Sequence, residues 1–185
     1  YNMIREENRR MHTQVENVLR ISKLENHELD LDKSEVDLHE IITDAVTHVS
    51  LIVENKGGYI KTHFFAENSN IFGSDLHLTN IIVNIIDNGI KYTEGAPEID
   101  IYTENVSNYV VVKIVDKGIG MSKSVQKKIF EKFYREQMGN IHNVKGHGLG
   151  LSYVKRILDD HDAEINVESE KGNGSTFIIK FELIT

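Results

Sequence analysis

The segment Asn80 to Tyr92 reads NIIVNIIDNGIKY, and its three asparagines recur at four-residue steps. On a helix, Asn80, Asn84 and Asn88 form one polar stripe, while isoleucine and valine side chains cover most of the remaining circumference. A helix that is apolar on nearly all sides is a buried helix. Because a buried amide without a partner costs about 1 to 3 kcal/mol, the stripe must face polar groups. The segment therefore predicts a buried helix that presents a row of amides to polar partners.

The composition of the chain is that of an ordinary globular domain. Its 185 residues are enough for one core and a short appendage, and 39% of them are hydrophobic and 27% charged. The net charge of -8 argues against a general affinity for nucleic acids or anionic membranes. The absence of cysteine excludes disulfides and thiolate zinc sites. No apolar run reaches the roughly 18 residues of a membrane span, so we expect a soluble chain, which can still be part of a longer membrane protein.

Residues 1–29 predict an amphipathic helix, because apolar side chains such as Met11, Val15 and Val18 recur at three- and four-residue steps. This helix either packs on the following domain or is one helix of a helical hairpin or coiled coil. The start of the chain inside the pattern favours the second interpretation. Residues 28–37 predict a polar linker with one short strand.

The rest of the chain alternates between helical and strand patterns. Helices are predicted at Leu38–Glu54, from a cap at Ser74 or Asp75 to Lys91, within Ser122–Phe133 and at Leu149–Asp159. Strands are predicted at Tyr59–Phe65, Ser69–Phe72, Glu98–Glu104, Tyr109–Asp116, Ala163–Ser169 and Ser175–Leu183. This order predicts an α+β fold, a two-layer sandwich in which one mixed, mostly antiparallel sheet is covered by helices on one face.

Three glycine clusters follow the asparagine segment: DKGIG at 116–120, GHGLGL at 146–151 and GNG at 172–174. Glycine allows a backbone to approach a ligand closely, and a helix N-terminus offers N–H groups to phosphate. Each cluster taken alone is better explained as a turn. The sequence contains no P-loop motif and no HRD or DFG motif, which excludes two common nucleotide sites. Only the combination of the clusters with the asparagine helix is informative.

In this order, the segments resemble the N, G1, F, G2 and G3 boxes of the catalytic domain of bacterial sensor histidine kinases, whose ATPase superfamily includes gyrase and MutL. The matching residues are Asn84, Asn88, Lys91 and Tyr92 (N box), Asp116, Gly118 and Gly120 (G1), Phe130 and Phe133 (F), Gly146, Gly148 and Gly150 (G2), and Gly172 and Gly174 (G3). The segment ISKLENHELDL at 21–31 resembles the end of the second helix of the family's dimerisation and phosphoacceptor hairpin. The resemblance implies a Bergerat fold, with part of the hairpin at 1–29 and an ATP-binding catalytic domain at 30–185.

The resemblance also implies that the asparagine stripe faces Mg²⁺ and ATP. Asn84 would be a metal ligand and Asn88 would lie by the phosphates, since Mg²⁺ accepts a neutral amide oxygen beside triphosphate oxygens. Asp116 would accept a hydrogen bond from the adenine amino group, Lys91 would face phosphate, and Tyr92 would pack near the nucleotide. Asn84, Asn88 and Lys91 are the implied catalytic residues.

Residues 136–147 resemble the family's ATP lid. Lys145 faces phosphate in one interpretation and solvent in the other, and His147 lies inside the glycine loop. The implied nucleotide-binding set is Asn84, Asn88, Lys91, Tyr92, Asp116, Gly118, Gly120, Lys145, Gly146, His147, Gly148, Leu149, Gly150 and Thr176. Whether Ser175 or Thr176 makes the contact near adenine stays open at this point.

Asn84 separates this chain from the hydrolases of the superfamily. The hydrolases resemble this chain but carry a glutamate at the position that matches Asn84, and this glutamate activates water as a general base. An asparagine does not act as that base. A domain that must pass the γ-phosphoryl group to an imidazole gains from not delivering it to water, so the residue favours a kinase over a hydrolase.

The acceptor imidazole of such a kinase is missing from the sequence. The family's acceptor motif resembles H-E-[LF]-R-[TN]-P, and the only proline here is Pro97. His12 is expected to be a surface residue, as are His77, His142 and His161. We therefore expect a protein-histidine kinase domain that binds Mg²⁺ and ATP and phosphorylates a histidine supplied by a separate hairpin.

The resemblance implies further partners and a location. These are a response regulator, a second copy in a full-length homodimer, and the cytoplasmic side of a membrane-anchored bacterial sensor kinase, with no nucleic acid and no membrane contact by this segment. The alternative is a nucleotide-binding regulatory module without transferase activity, either a degenerate kinase or an anti-sigma-like regulator. The intact boxes argue against the first form and the helix at 21–31 against the second.

Overall fold

The computed structural model describes residues 31–131, 134 and 150–184. Its elements, in chain order, are β1 (Ser34–Asp37), α1 (Leu38–Asn55), β2 (Tyr59–Phe64), β3 (Asn70–Gly73), α2 (Asp75–Lys91), β4 (Glu98–Val106), β5 (Tyr109–Asp116), α3 (Lys123–Gln126), α4 (Gly150–Asp160), β6 (Glu164–Ser169) and β7 (Ser175–Glu182). Asp32–Thr185 forms one compact unit. The helix predicted over residues 1–29, with its assignment to a dimerisation hairpin, lies outside the described residues.

Five strands form a mixed sheet in the order β2-β4-β5-β7-β6. Only β2 and β4 are parallel, and the other neighbours are antiparallel, as the sequence predicted. In addition to this predicted sheet, β1 and β3 pair with each other in a separate two-stranded antiparallel sheet, which the strand patterns did not predict. Strand patterns reveal which residues are extended but not which strand each one pairs with, since pairing depends on distant parts of the chain.

One face of the five-stranded sheet is buried beneath the helices. Along β4, the side chains of Ile99, Ile101 and Thr103 are at most 1% exposed, and they alternate with half-buried neighbours. Helix α1 packs on β2, α2 on β5, and α4 on β6, while α2 also contacts both α1 and α4. The opposite face carries half-buried polar and aromatic residues such as Tyr102 and Lys113. The sandwich therefore has its core between the sheet and a single layer of helices.

The two long helices begin in different ways. An Asp37 carboxylate oxygen accepts the N–H of His39 at 2.8 Å, which is a conventional N-cap for α1. Ser74 occupies the N-cap position of α2, but its side chain makes no capping bond, so the predicted cap is correct in position and wrong in chemistry. Its backbone N–H instead donates to His161 Nε2 at 3.0 Å. Among the described residues, no helix is both long and apolar enough to cross a membrane.

Candidate nucleotide-binding site

Asp116 lies at the end of β5, on the face of the sheet that the helices cover. It is 8% exposed, and its Oδ1 accepts the N–H of Gly118 at 2.8 Å. Burial raises the pKa of the Asp116 carboxyl, and the backbone N–H groups of Gly118 and Ser175 offset only part of that rise. Space for the carboxylate comes from Gly89 in α2, where a Cβ atom would lie 3.1 Å from Asp116 Cβ. The result is a buried acceptor at the junction of the sheet and the asparagine helix.

The backbone of Ile119 joins the turn after β5 to two other segments. Its N–H donates to the carbonyl of Tyr92, at the end of α2, at 2.9 Å. Its own carbonyl accepts the N–H of Gly172, in the turn before β7, at 2.8 Å. Three segments that are distant in sequence thus meet around Asp116 through main-chain hydrogen bonds.

Two glycines in these turns are required by their geometry. Gly120 has φ of 66°, and a Cβ atom there would lie 1.8 Å from the carbonyl oxygen of Glu170. Gly174 has φ of 81°, and its Cβ atom would lie 2.0 Å from the carbonyl oxygen of Asp116. Positive φ and backbone atoms at such distances exclude side chains at both positions. The G1 and G3 glycines therefore let the two turns contact each other.

The asparagine stripe lies on α2 as the sequence predicted, and Asn84 is its best-defined member. Asn84 Nδ2 donates to the carbonyl of Asn80 at 2.9 Å, one helical turn earlier. Its Oδ1 lies 3.2 Å from the position that a Cβ atom of Gly150 would occupy, so the amide oxygen faces the start of α4. Asn88 follows one turn later and is half-buried. One of the two Nδ2 hydrogens is used within the helix, and the amide oxygen is a hard ligand of the kind that Mg²⁺ accepts.

The described residues contain no cluster of three or more histidine, cysteine or carboxylate side chains suited to a metal. A single amide oxygen can supplement the ligands that phosphate and water supply to Mg²⁺. The donor set at Asn84 therefore fits Mg²⁺ delivered with a nucleotide and does not form a cage for a metal alone.

Lys91 and Tyr92 end the asparagine helix. Lys91 Nζ pairs with the carboxylate of Asp87, one turn earlier, so contact with phosphate requires it to leave this partner. The half-buried Tyr92 donates its N–H to the Asn88 carbonyl and accepts from Ile119. Their assignment as nucleotide contacts stays a prediction.

Thr176, predicted as a nucleotide contact, is placed elsewhere by the structure. Strand pairing sets Asp116 opposite Ser175 and Val115 opposite Thr176, so Thr176 lies on the sheet face away from the helices. Ser175 is 9% exposed and shares the face of Asp116. Because successive side chains of β7 point to opposite faces of the sheet, we propose Ser175 rather than Thr176 as the contact near adenine.

The predicted residues of the second glycine cluster are only partly described. Lys145, Gly146, His147, Gly148 and Leu149 lie outside the described residues, as does Phe133. Gly150 opens α4 beside Asn84, and Phe130 is half-buried near α3.

Sequence reasoning missed a polar cluster behind Ser175. Ser169, the last residue of β6, lies directly opposite Ser175. Gln126 of α3 donates through Nε2 to the carbonyls of Met121 at 3.0 Å and Ser169 at 2.7 Å. A serine that ends a strand has no distinctive signal in one sequence, since its partners come from two turns that only the fold brings together.

Two histidines join α2 to α4, and the expectation that they are ordinary surface residues is wrong. His77 Nδ1 lies 2.9 Å from the hydroxyl of Tyr153. His161 Nδ1 lies 2.7 Å from the carbonyl of Ile157, and its Nε2 accepts from Ser74. Burial lowers the pKa of His161, which favours the neutral ring that this bonding pattern requires. Hydrogen bonds thus join the first turns of α2 to the first turn of α4 and to the residue that follows α4.

The chain also matches a known protein family. Residues 73–185 match the model of the histidine kinase-, DNA gyrase B- and HSP90-like ATPases. The chain belongs to this ATPase family. The resemblance drawn from the five boxes is thereby confirmed at the level of the family, and the N, G1 and G3 segments all lie within the matched range.

Sensor protein RprX of Bacteroides fragilis is 40% identical to this member of the family over 184 residues, which are 98% of this chain and 36% of RprX. The structure of full-length ShkA in complex with AMPPNP has a TM-score of 0.84 at 23% identity and covers 100% of this chain and 38% of that one. The histidine kinase ThkA, solved with the response regulator protein TrrA, has a TM-score of 0.77 at 22% identity over 99% of this chain and 50% of that one. These likenesses confirm the predicted fold, and the chain spans about a third of RprX.

Proposed function

We propose that this domain binds ATP with Mg²⁺ and donates the γ-phosphoryl group to a histidine on a separate dimerisation hairpin of a two-component sensor kinase. The observation that carries the proposal is the placement of two polar groups beside helix α2. The buried Asp116 carboxylate lies against Gly89, and the amide oxygen of Asn84, which comes earlier in the same helix, faces Gly150 at the start of α4. The family match and the likeness to a kinase solved with an ATP analogue support the same pairing of groups.

The site has two parts in this proposal: a base end at Asp116 and a phosphate end at Asn84, Asn88 and Lys91. Asp116 accepts a hydrogen bond from the exocyclic amino group of adenine, which fixes the direction of the nucleotide. Asn84, Asn88 and Lys91 hold the triphosphate along α2. When bound with the nucleotide, Mg²⁺ neutralises phosphate charge. The protein contributes mainly positioning, because phosphoryl transfer needs little covalent chemistry from side chains.

The acceptor in the proposed reaction is a neutral imidazole. One ring nitrogen forms a bond to the γ-phosphorus as the bond to the bridging oxygen breaks, and ADP leaves. Asn84 stands where related hydrolases carry a general base and does not activate water. The γ-phosphoryl group is therefore kept for the histidine.

The wider assignment follows from the relatives. We propose that the domain acts within a homodimeric, membrane-anchored sensor kinase, on its cytoplasmic side, and that a response regulator receives the phosphoryl group. The similarity to RprX over nearly the whole chain and the likeness to ThkA in complex with TrrA support this context.

Calorimetric titration of the chain with ATP, with and without Mg²⁺, tests the site. We expect Asp116→Asn to weaken binding by about 10- to 100-fold, the range of a charge-assisted hydrogen bond. Asp100→Asn is the matched control, because Asp100 lies on β4 with its side chain on the opposite face, paired with His63. We expect Asn84→Ala to bind ATP equally with and without Mg²⁺.

Transfer is measured separately by adding ATP labelled at the γ position and a dimerisation hairpin that carries the acceptor histidine. Label on the hairpin supports the kinase. ATP binding without label on any hairpin would favour the regulatory module, and steady ATP turnover without a hairpin would favour a hydrolase.

A further inference from the structure

The hydroxyl group of Ser169, at the end of β6, lies at the centre of a hydrogen-bond cluster that no box of the family resemblance includes. It accepts the N–H of Met121 at 2.8 Å, and it donates to the carbonyl of Gly174 at 2.7 Å. The hydroxyl of Ser175 lies 3.0 Å away from it. Ser169 thus contacts the turn after β5 and the turn before β7 at the same time.

The proton positions in this cluster follow from the chemistry of each group. A serine hydroxyl has one hydrogen to donate, and a carbonyl oxygen can only accept. Because Ser169 gives its hydrogen to Gly174, the contact between the two hydroxyls requires Ser175 to donate to Ser169. The Ser175 oxygen is then left with lone pairs alone.

The Ser175 oxygen shares a face with the carboxylate proposed to bind the base. Pairing across β5, β7 and β6 sets Asp116, Ser175 and Ser169 in one row on the helix-covered face. The backbone N–H of Ser175 also lowers the pKa of the Asp116 carboxyl, against the larger effect of burial. The base end therefore offers two neighbouring acceptors, a carboxylate and a hydroxyl oxygen whose hydrogen is already used.

We propose that Ser169 is a positioning residue that sets purine selectivity by fixing the Ser175 hydroxyl as an acceptor. A 6-amino purine brings an N–H₂ group with two hydrogens to these acceptors. A 6-oxo purine brings a carbonyl oxygen, which would face two acceptors without a hydrogen between them. This inference rests on the proposed function, since it requires the base to lie at Asp116.

Loss of the Ser169 hydroxyl predicts a change in selectivity rather than in affinity alone. Without its acceptor, the Ser175 hydroxyl can rotate and donate to a 6-oxo group. If the role of Ser169 were merely structural, its loss would instead weaken the binding of 6-amino and 6-oxo nucleotides by the same factor. The ratio of the two affinities therefore separates the two roles.

The test is calorimetric titration of the chain with ATP and with inosine triphosphate, each with Mg²⁺. We expect the wild-type chain to prefer ATP and Ser169→Ala to lower that preference by about three- to tenfold, the value of one hydrogen bond. Ser169→Thr keeps the hydroxyl and should keep the preference. Asn173→Ala is the matched control, because Asn173 lies in the same turn and its side chain bonds only to Glu170 among the described residues.

Ser175→Ala provides a second test if Ser169→Ala does not fold, since it should lower the same ratio while Ser169 remains. The inference would be overturned if Ser169→Ala weakened the binding of both nucleotides equally, or if Ser175→Ala left the ratio of the two affinities unchanged. Failure of the proposed function is recognised differently. In that case the wild-type chain binds neither nucleotide, or Asp116→Asn binds ATP as well as the wild-type chain does.

Discussion

The base end and the phosphate end of the candidate site are held by different kinds of contact. At the base end, Asp116 accepts from the backbone of Gly118, and the backbone of Ile119 joins the same turn to two distant segments. At the phosphate end, the partners are one turn away on the same helix, Asn80 for Asn84 and Asp87 for Lys91.

This difference indicates which end is already formed without a ligand. Main-chain bonds between distant segments can change only if the fold changes. A surface ion pair at i,i+4 is worth only about 0.3 to 0.5 kcal/mol, so a phosphate group can replace it at little cost. The domain thus combines a fixed base end with a phosphate end whose side chains exchange partners, which suits a protein that must hold ADP while giving up the γ-phosphoryl group.

The largest effect should follow from breaking the base end. Gly174→Ala places a Cβ atom against the Asp116 backbone, so we expect a loss of about 2 to 4 kcal/mol in the free energy of unfolding, together with loss of ATP binding. Gly172→Ala is the control, because its φ is also positive but no atom lies within 4 Å of the added Cβ. It should cost about 1 kcal/mol.

Urea unfolding followed by circular dichroism measures both variants. Equal losses would mean that backbone strain alone, and not the contact between the two turns, accounts for the requirement for glycine. The base end would then be less rigid than its hydrogen bonds indicate.

The next effect concerns the contact of His161 with the start of α2. His161 accepts from Ser74 as a neutral ring, and Lys33, His77 and Asp160 are the charged or titratable groups near it. Its folded pKa is lowered, first by burial, so the unfolded chain binds more protons below about pH 6.5. Stability should therefore fall as the pH drops from 7 towards 5, by on the order of 1 kcal/mol for the hydrogen bond lost.

His161→Gln isolates this contribution, because its amide oxygen can accept from Ser74 but does not titrate. We expect the stabilities of the two proteins to be similar at pH 7 and to differ at pH 5 in favour of the variant. Parallel pH profiles would show that the link between α2 and α4 does not depend on the protonation of His161.

The smallest effect should come from the ion pair at the phosphate end. Asp87→Asn releases Lys91 from its partner, so we expect binding of ATP with Mg²⁺ to tighten by about twofold, and more at low salt. Asp159→Asn is the control, since Asp159 forms an i,i+4 pair with Lys155 on α4. Weaker binding in Asp87→Asn would contradict partner exchange and indicate that Asp87 itself helps to hold the metal.

The sequence predicted those features that depend on local patterns. The asparagine stripe, the strand that ends at Asp116 and the glycine turns were all visible, because helical period, alternation and glycine clusters are properties of short segments. The choice between Thr176 and Ser175 could not be made from the sequence, because it depends on which face of β7 carries Asp116's neighbours, and that is set by pairing with β5. The contacts of His161 and Ser169 were not predicted for the same reason, since their partners lie on other elements.

The parallel pairing of β2 and β4 also has a consequence for folding kinetics. Parallel neighbours need a long crossover, and the chain that leaves β2 at Phe64 and returns at Glu98 carries the asparagine helix within that crossover. Asn84 can therefore reach its place only after a non-local loop closes, a step that slows folding. A partly folded chain would therefore lack the nucleotide-binding site. A nucleotide would bind only the finished domain and stabilise it by mass action, so that cellular ATP would protect the domain from unfolding as well as supply its phosphoryl group.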